Sequence, residues 1–358
     1  MNLIRWPIIG KEDISAMMRV AQSGVFLKGQ YSKELEIKFS EFISVKYCQT
    51  VSSCTHAIHL ALIAAGIGSG DEVLVPDFTY VGSVSPIINA GAIPVFVDID
   101  PMDYNISIGD ISRKITTKTK AIIPVHLHGY PCNVELIRSM FPNLIIIEDA
   151  CQAPGVTRNG IYTGTIGDIG CFSLNQVKPL CGGQGGIVVT NNPKLWERIK
   201  ILASPGKDET VGLSYEMTEM SAALALSQLI KLEQIIKCAN CNYDHFREAI
   251  REGLRDSLPV LEDKVVPVWH KLRLKLGVHN ISKAINIFNE NNIPYDTWPY
   301  NLVSQRSEYK SKYGDISYTP NSRAALSQTI ILGNEIFPFH AQKLETIIKW
   351  AEIINKSF

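Results

Sequence analysis

Lys178 has the surroundings that most favour chemistry in this 358-residue sequence. It follows a strand-like apolar segment, residues 169–174, and precedes a glycine-rich segment, residues 182–186. Most lysines are solvated surface residues, but glycines let the backbone come close to a ligand. A lysine held beside a buried strand loses its proton more easily and can form a Schiff base. We therefore predict that Lys178 is a nucleophile toward a carbonyl group.

Asp149 is the second candidate, because it directly follows the apolar run Leu-Ile-Ile-Ile-Glu at residues 144–148. Ligands of open α/β sheets bind outside the carboxyl ends of the strands. A carboxylate at that place can be a metal ligand, a base or the partner of a cationic ligand group. The alternative of equal weight is that Asp149 caps a helix that begins at Ala150.

A third candidate is the hydroxyl-rich segment Ser-Ser-Cys-Thr at residues 52–55, which leads into a helical pattern at residues 55–65. Hydroxyls and free amides at a helix N-terminus form an anion site. Simple N-capping explains the same residues equally well when they are considered alone. Ser173 adds another hydroxyl, five residues before Lys178.

Together these groups match the needs of pyridoxal 5'-phosphate (PLP). Its phosphate needs a cradle of donors, its pyridine nitrogen needs an acidic partner, and its aldehyde needs a lysine. The usual nucleotide motifs are absent from the sequence, since it has no GxxxxGK[ST] and no GxGxxG between a first strand and helix. We therefore predict that Lys178 holds PLP, that Asp149 pairs with the ring nitrogen, and that no metal is bound.

The elements that must position these residues alternate between short apolar strands and helices. Strands are predicted at residues 72–75, 94–97, 121–125, 144–147 and 187–189, with helices at 55–65 and 81–90 between them. This alternation predicts an α/β fold with a mostly parallel sheet. A long helical pattern runs from Met217 to Arg255, and further helices are predicted at 281–290 and 340–354.

Length and composition narrow the class of protein. A chain of 358 residues exceeds the size of one core, so we expect two domains, residues 1–240 and 241–358. The formal net charge is +0, which gives no global electrostatic case for binding nucleic acid or an anionic membrane. No apolar run approaches the ~18 residues of a membrane span, and the N-terminus lacks a signal-peptide pattern. The cytoplasm is the expected location.

The eight cysteines are scattered through apolar segments, so we expect small buried thiols rather than disulfides. Cys238 and Cys241 have the CxxC spacing, but the sequence has no second CxxC to complete a zinc site. A structural or incidental role is expected for this pair.

Several segments in order resemble the DegT/DnrJ/EryC1/StrS family of aminotransferases, many of which act on nucleotide-linked keto-sugars. The resemblance is close from about residue 35 to about residue 235 and weak beyond about 260. The matching segments and family patterns are 51–62 with SGTxALxLAL, 70–80 with GDEVIVPxxTF, 91–98 with GAxPVFVD, 124–129 with PVHxxG, 147–153 (Ile-Glu-Asp-Ala-Cys-Gln-Ala) with EDAAQA, and 172–178 with FSFxxxK.

The resemblance implies fold type I of the PLP-dependent transferases, with an aspartate-aminotransferase-like large domain and a smaller C-terminal α/β domain. It implies that Lys178 forms the Schiff base and shuttles a proton, while Asp149 pairs with the pyridine nitrogen. It also implies a homodimer whose subunits complete each other's sites. The further residues assigned to the cofactor are Tyr80 on the ring, Gln152 near the ring hydroxyl, and Ser53, Cys54, Thr55 and Ser173 at the phosphate.

The departures from the family pattern concern the substrate more than the cofactor. Cys54 replaces the glycine of SGT, and Gln184 replaces the glutamate of GEGG. Ser214 replaces an asparagine of YNYRM that reaches the neighbour's phosphate, and Glu216 replaces the arginine. The cofactor set is still expected to include Ser214.

The substrate pocket is expected to use Lys28, His128 and Gln184, together with the Trp-Pro-Tyr segment at residues 298–300. The leading hypothesis is a PLP-dependent aminotransferase that moves an amino group from glutamate or glutamine to a keto-sugar. A cyclitol aminotransferase of the same family and a PLP-binding protein with little catalysis are the alternatives. Dehydratases of the family carry histidine in place of the lysine, so Lys178 argues against that chemistry.

Overall fold

The computed structural model describes residues 1–204, 212–297, 301–313 and 318–358. Its strands are β1 Tyr47–Val51, β2 Glu72–Pro76, β3 Ile93–Val97, β4 Thr119–Ile122, β5 Ile145–Asp149, β6 Thr157–Arg158, β7 Ile161–Tyr162, β8 Ile169–Ser173, β9 Gly186–Thr190, β10 Val265–Val266, β11 Leu272–Lys275, β12 Tyr295–Asp296 and β13 Thr329–Leu332.

A seven-stranded sheet in the order β1-β9-β8-β5-β4-β2-β3 forms the centre of the large domain. Strands β8, β5, β4, β2 and β3 are parallel, whereas β9 is antiparallel to both β8 and β1. Residues such as Val73, Leu74, Ile146 and Ile147 are fully buried, as expected for strands covered on both faces. The predicted α/β fold with a mostly parallel sheet is confirmed.

Helices cover both faces of this sheet and form much of the C-terminal region. They are α1 Lys11–Ser23, α2 Gln30–Ile43, α3 Cys54–Ala64, α4 Ser85–Asn89, α5 Ile108–Lys114, α6 Val134–Met140, α7 Pro193–Ala203, α8 Glu219–Leu229, α9 Leu232–Ala249, α10 Glu252–Arg255, α11 Val278–Glu290, α12 Ser307–Tyr313, α13 Pro320–Gln328 and α14 Leu344–Ser357. Short 3-10 turns lie at Val81–Ser83, Leu127–Gly129, Val303–Gln305 and Phe339–Ala341.

Two predicted helices are interrupted. The pattern from Met217 to Arg255 forms α8, α9 and α10 instead of one helix, and residues 81–90 form a 3-10 turn followed by α4. At the first break, the Lys231 ammonium pairs with the buried Asp13 carboxylate of α1 at 2.6 Å. No glycine or proline at residues 230–231 marks this break in the sequence.

A second core lies in the C-terminal region, around the fully buried Trp350. Helix α9 joins the two cores, since Leu232 and Ile236 pack in a core of the large domain whereas Tyr243 and Phe246 pack in the second. This change of partners supports the proposed domain division near residue 240. Two small three-stranded sheets, β10-β6-β7 and β11-β13-β12, complete the structure.

The N-terminal segment contacts the C-terminal region. The Ile4 amide donates to the Gln342 side chain at 2.9 Å, and the Trp6 amide donates to the Ile336 carbonyl at 2.8 Å. These first residues therefore lie against the region that the proposed division assigns to the second domain. None of the helices of the described residues combines the length and apolar character that crossing a bilayer requires.

Candidate active site

A cavity of about 430 Å³ lies at the carboxyl ends of the parallel strands. Strand β5 ends there at Asp149, strand β8 ends at Ser173, and helix α3 begins at the same edge. The lining residues from the predicted set are Ser53, Cys54, Thr55, Tyr80, Asp149, Gln152, Ser173, Lys178 and Gln184. A larger groove of about 710 Å³, between α1, α2, α8 and α9, contains none of them.

Asp149 faces the cavity as the last residue of β5. Its Oδ2 accepts a hydrogen bond from the Ser83 hydroxyl at 2.7 Å, and its Oδ1 accepts one from the Cys151 amide at 3.1 Å. Burial raises the pKa of Asp149, while the Ser83 hydroxyl, the Cys151 amide and the positive charge of Lys178 act in the opposite direction. The carboxyl group is thus fixed in place and suited to share a proton with a basic nitrogen.

Lys178 lies in the loop that follows β8, and its backbone is held from two sides. Its amide donates to the Asn175 carbonyl at 2.9 Å, and its carbonyl accepts from the Trp6 indole at 3.2 Å. Burial and then the nearby charge of Lys271 lower the pKa of Lys178 to about 8, against the opposing effect of Asp149. Its amine is therefore neutral much more often than that of a surface lysine, which makes it a better nucleophile.

The start of α3 forms an anion cradle. The Ser53 hydroxyl accepts from the His56 amide at 3.1 Å and caps the helix. The amides at the very beginning of a helix have no carbonyl partner within it and point outward. Gly186 passes so close that a Cβ there would lie 2.6 Å from the Cys54 nitrogen. Thr55 and Ser173 bring hydroxyls to the same end of the cavity.

Tyr80 and Gln152 line the cavity on other sides. Tyr80 is 53% exposed. The Gln152 Oε1 accepts from the His128 amide at 2.8 Å, and this bond orients the side chain. The structure thus brings together a nucleophilic amine, a buried carboxyl and an anion cradle, which are the three groups that PLP requires.

The expectation that all eight cysteines are free thiols was wrong for two of them. Cys54 and Cys151 form a disulfide, although 97 positions separate them in the sequence. The spacing could not show this pairing, because the contact is made by the start of α3 and the turn after β5. Cys54, Cys151 and Asp149 also form a group compact enough for a metal ion, but the bonded sulfurs offer no thiolate ligand.

The predicted substrate residues are spread more widely. Gln184 lines the cavity, and its Oε1 accepts from the Asn175 side chain at 2.8 Å. His128 is buried behind Gln152 and does not line the cavity. Lys28 is exposed, pairs with Glu216 at 2.8 Å and does not line the cavity.

Ser214 is also exposed and outside the cavity, with a positive φ of 55°. The Trp-Pro-Tyr segment at 298–300 lies outside the described residues.

The sequence analysis missed every lining residue of the C-terminal region, and these are His270, Lys271, Asp296 and Glu335. They belong to the C-terminal region, where the resemblance to the family is weak, and no motif marks them. The Lys271 ammonium pairs with the Asp296 carboxylate at 2.9 Å. The second domain therefore supplies charged groups to the cavity.

Comparisons with known proteins agree with this geometry. A family model described as the DegT/DnrJ/EryC1/StrS aminotransferase family matches residues 7–342. The chain is 41% identical over 238 residues to a GDP-perosamine synthase of Escherichia coli O157:H7, covering 64% of this chain and 65% of that protein. It is 39% identical over 219 residues to a GDP-perosamine synthase of Vibrio cholerae, covering 59% and 60%. The match thus spans less than two thirds of either synthase.

A solved structure extends the likeness over the whole chain. The aminotransferase from Psychrobacter cryohalolentis is 27% identical and superposes with a TM-score of 0.91, covering 99% of this chain and 98% of that one. The similarity includes the C-terminal region in which the sequence patterns are weak.

Proposed function

The chain belongs to the DegT/DnrJ/EryC1/StrS aminotransferase family, and on this premise we propose that it transfers an amino group from glutamate or glutamine to a nucleotide-linked keto-sugar. The proposal depends on one observation about Lys178. Its amine has a lowered pKa and lines the same cavity as the buried Asp149 and the start of α3. Family membership implies PLP as the cofactor.

The described residues offer partners for the ring nitrogen, the phosphate and the aldehyde of PLP. Asp149, held by Ser83, would pair with the ring nitrogen, and the amides and hydroxyls around Cys54 and Thr55 would hold the phosphate. Lys178 would link to the aldehyde. When it is bound, PLP supplies an electron sink that stabilises negative charge on the substrate carbon.

The work of the protein is then to position groups and to move protons. In the donor half of the reaction, Lys178 Nζ would accept the proton of the amino-bearing carbon, and in the acceptor half it would donate a proton to the carbon that receives the amino group. Its lowered pKa suits this role, because an amine that titrates near 8 can act as both base and acid close to neutral pH. A protonated ring nitrogen beside Asp149 would favour the ionised form of its carboxyl group.

The proposed acceptor follows from the relatives. Two GDP-perosamine synthases match the chain at about 40% identity, so we propose a GDP-linked keto-sugar as the first acceptor to test. A product used in amino-sugar or surface-polysaccharide biosynthesis and a cytoplasmic location belong to the same proposal. We also propose a homodimer with shared sites, because Val25, Phe26 and Leu27 beside Lys28 are each 50% exposed.

We assign the donor's carboxylate to Lys271. Among the described residues, Lys178 and Lys271 are the two lysines that line the cavity, and arginine is absent from that lining. Lys178 is occupied by the cofactor, which leaves the Lys271 ammonium for an anionic substrate group. Its ion pair with Asp296 fixes it in position.

The Lys271→Met variant tests this assignment. It keeps the side-chain length and removes the charge, so the KM for glutamate should rise at least about tenfold, the loss expected for one charged hydrogen bond. The KM for the keto-sugar should change far less. Equal increases in both KM values would show that Lys271 does not discriminate the donor.

The decisive experiment for the function is the absorption spectrum of the purified protein before and after glutamate is added. The band of the lysine-bound cofactor should be replaced by that of the aminated cofactor, and a GDP-linked keto-sugar should restore the first band. Lys178→Ala is the control that should lack the first band while still unfolding in one cooperative thermal transition. A cofactor band unchanged by glutamate or glutamine would contradict the proposal.

A further inference from the structure

The Cys54–Cys151 disulfide joins two walls of the proposed cofactor cavity. Cys54 is the first residue of α3, where the phosphate is expected to bind. Cys151 follows Asp149 by two positions, and its amide donates to the Asp149 carboxylate. The bond therefore ties the phosphate end of the site to the end that holds the ring nitrogen.

The two cysteines depart from the family pattern together. Cys54 stands where SGTxALxLAL has glycine, and Cys151 stands where EDAAQA has its second alanine. These positions, 97 residues apart, meet as a single bond. Other buried cysteines, such as Cys132 and Cys171, remain free thiols. Two unrelated substitutions would have no reason to fall on two positions that are adjacent in the cavity wall.

We propose that Cys54 and Cys151 form a thiol–disulfide site at which the redox state of the protein sets its affinity for PLP. The oxidised pair holds the cradle closed, and reduction by low-molecular-weight thiols loosens it. The inference rests on the proposed function in so far as PLP is the ligand of this cavity. If the protein is cytoplasmic, a disulfide there is expected to be transient or redox-sensing rather than permanent.

The exchange can proceed from the cavity side. Cys151 is partly exposed, whereas Cys54 is 7% exposed, so the attacking thiolate meets the Cys151 sulfur first. A new bond forms to Cys151, the Cys54–Cys151 bond breaks, and its electron pair leaves on Cys54. A second small thiol then releases Cys151 and carries away a small-molecule disulfide. Two thiols are oxidised and the protein disulfide gains two electrons; a small-molecule disulfide drives the reverse reaction.

The position of Cys54 favours this exchange. It opens an α-helix of 11 residues, and the partial positive charge of a helix N-terminus stabilises a thiolate there. A stabilised thiolate is also a good leaving group, so the disulfide is expected to open more readily than a bond with both sulfurs in apolar surroundings.

Reduction opposes PLP binding in two ways. The Cys54 thiolate places negative charge at the same helix N-terminus that would receive the phosphate. The two sulfurs must also separate from about 2 Å when bonded to roughly 3.5–4 Å when they are only in contact. The start of α3 and the turn that carries Cys151 are then free to move apart.

The test compares PLP affinity in the two redox states. Protein purified without reductant is divided, and one half is reduced with dithiothreitol, which is then removed under nitrogen because thiols react with PLP. Alkylation after denaturation and mass measurement should show six free thiols in the first half, matching the six free cysteines, and two more in the second. The dissociation constant of PLP is measured by fluorescence, with a chelator present to keep metals off the reduced pair.

The dissociation constant should be about tenfold higher for the reduced protein, the size expected for one added charge at a partly buried helix terminus. The double variant Cys54→Gly/Cys151→Ala, which restores both motif residues, should bind PLP with the same affinity under both conditions. The double variant Cys238→Ala/Cys241→Ala, which removes the exposed cysteines, should respond like the wild type.

Two results would overturn the redox site and leave the proposed function intact. One is eight alkylated thiols in unreduced protein, and the other is equal PLP affinity in both redox states. Failure of every form, including Cys54→Gly/Cys151→Ala, to bind PLP would overturn the proposed function together with this inference.

Discussion

Two neighbouring carboxylates, Glu148 and Asp149, show how burial alone fails to mark a functional residue. Both are almost fully buried at the end of β5, and successive strand residues face opposite sides of the sheet. Glu148 accepts hydrogen bonds from the His126 ring at 2.9 Å and from backbone amides that include Gly164 at 2.8 Å and Ile166 at 2.7 Å. Its bonding is complete, so its role is structural.

Replacing each carboxylate by its amide should separate the two roles. Glu148→Gln puts an amide group where backbone N–H donors converge, so the free energy of unfolding should fall by about 2–3 kcal/mol. Asp149→Asn keeps its bond to Ser83 and should leave the melting temperature nearly unchanged while weakening activity at least about 100-fold. Thermal melts and transamination rates check the pair, and a reversed pattern would mean that the two roles are misassigned.

The lowered pKa of Lys178 has a consequence for stability in the cofactor-free protein. Between pH 8 and 10.5 the folded state has lost the Lys178 proton, while the unfolded chain still binds it. The unfolded state then binds more protons, so the free energy of unfolding should rise with pH across this window, by roughly 3 kcal/mol in total. Below pH 8 both states are protonated and the full cost of burying the charge is present.

Lys178→Met removes this titration and isolates its effect. The difference in unfolding free energy between the variant and the wild type should favour the variant at pH 7 and shrink as the pH rises from about 8 to 10.5. Denaturant titrations of both cofactor-free proteins at several pH values measure it. A difference that does not depend on pH would show that the pKa of Lys178 is ordinary.

At the residue scale, the sequence motifs identified the residues on which the proposed site depends. Lys178 and Asp149 could be predicted because each follows a strand whose apolar pattern is unambiguous. Lys271 could not, because its place in the cavity depends on how the second domain packs. His128, predicted from its motif to contact the substrate, donates its backbone amide to Gln152 and has a buried ring, so its substrate role stays a prediction.

Among the helices, α2 and α8 are joined by a buried carboxylate, Glu219. Its two oxygens accept from the Tyr31 amide at 2.8 Å and the Ser32 amide at 3.1 Å, which lie in the first turn of α2. A negative charge at a helix N-terminus is stabilising, so one helix caps the other. Glycine at position 29 provides the space for this carboxylate, because a Cβ there would lie 2.5 Å from it.

Removing this cap should loosen the segment that presents Lys28. Glu219→Ala leaves two buried amides without an acceptor, so the free energy of unfolding should fall by about 2–4 kcal/mol. Glu34→Gln, at an exposed site in the same helix, is the matched control and should change it by less than about 0.5 kcal/mol. Hydrogen exchange of the first turn of α2 should speed up in the first variant only; unchanged exchange would rule out the cap.

The elements were predictable where their signals are local. Strand positions follow from β-branched runs, and α3 follows from its apolar pattern after a capping serine. The break between α8 and α9 was not predictable, because no glycine or proline at residues 230–231 signals it. The antiparallel pairing of β9 with β8 was not predictable either, because a run of five residues does not indicate the direction of its strand.

Across the whole molecule, two buried carboxylates of the large domain bind the C-terminal region. Asp77 Oδ2 accepts from the Ser304 and Thr319 hydroxyls at 2.7 Å each, and Asp98 Oδ1 accepts from the Ser322 amide at 2.8 Å. Both aspartates lie in motifs shared with the family, directly after β2 and β3. Such bonds fix the second domain over the cavity and explain how Lys271 and Asp296 reach it.

The proposed sharing of sites between two subunits is tested by mixing inactive variants. Lys178→Ala lacks the nucleophile in its own site, and Ser214→Asp would place a negative charge against the phosphate in its neighbour's site. Each homodimer should be inactive for its own reason. In a hybrid, one site combines an intact Lys178 with an intact Ser214, so mixing the unfolded variants and refolding them together should restore transamination that neither has alone.

The control for this experiment is the pair Lys178→Ala and Asp149→Ala. Both changes lie in the cavity of one chain, so a hybrid has one damaged residue in each site and should stay inactive. Activity from the first mixture and none from the second would place Ser214 in the neighbour's site, which its exposed position outside its own cavity leads us to expect. No recovery in the first mixture, with dimers present by light scattering, would mean that each chain builds its site alone.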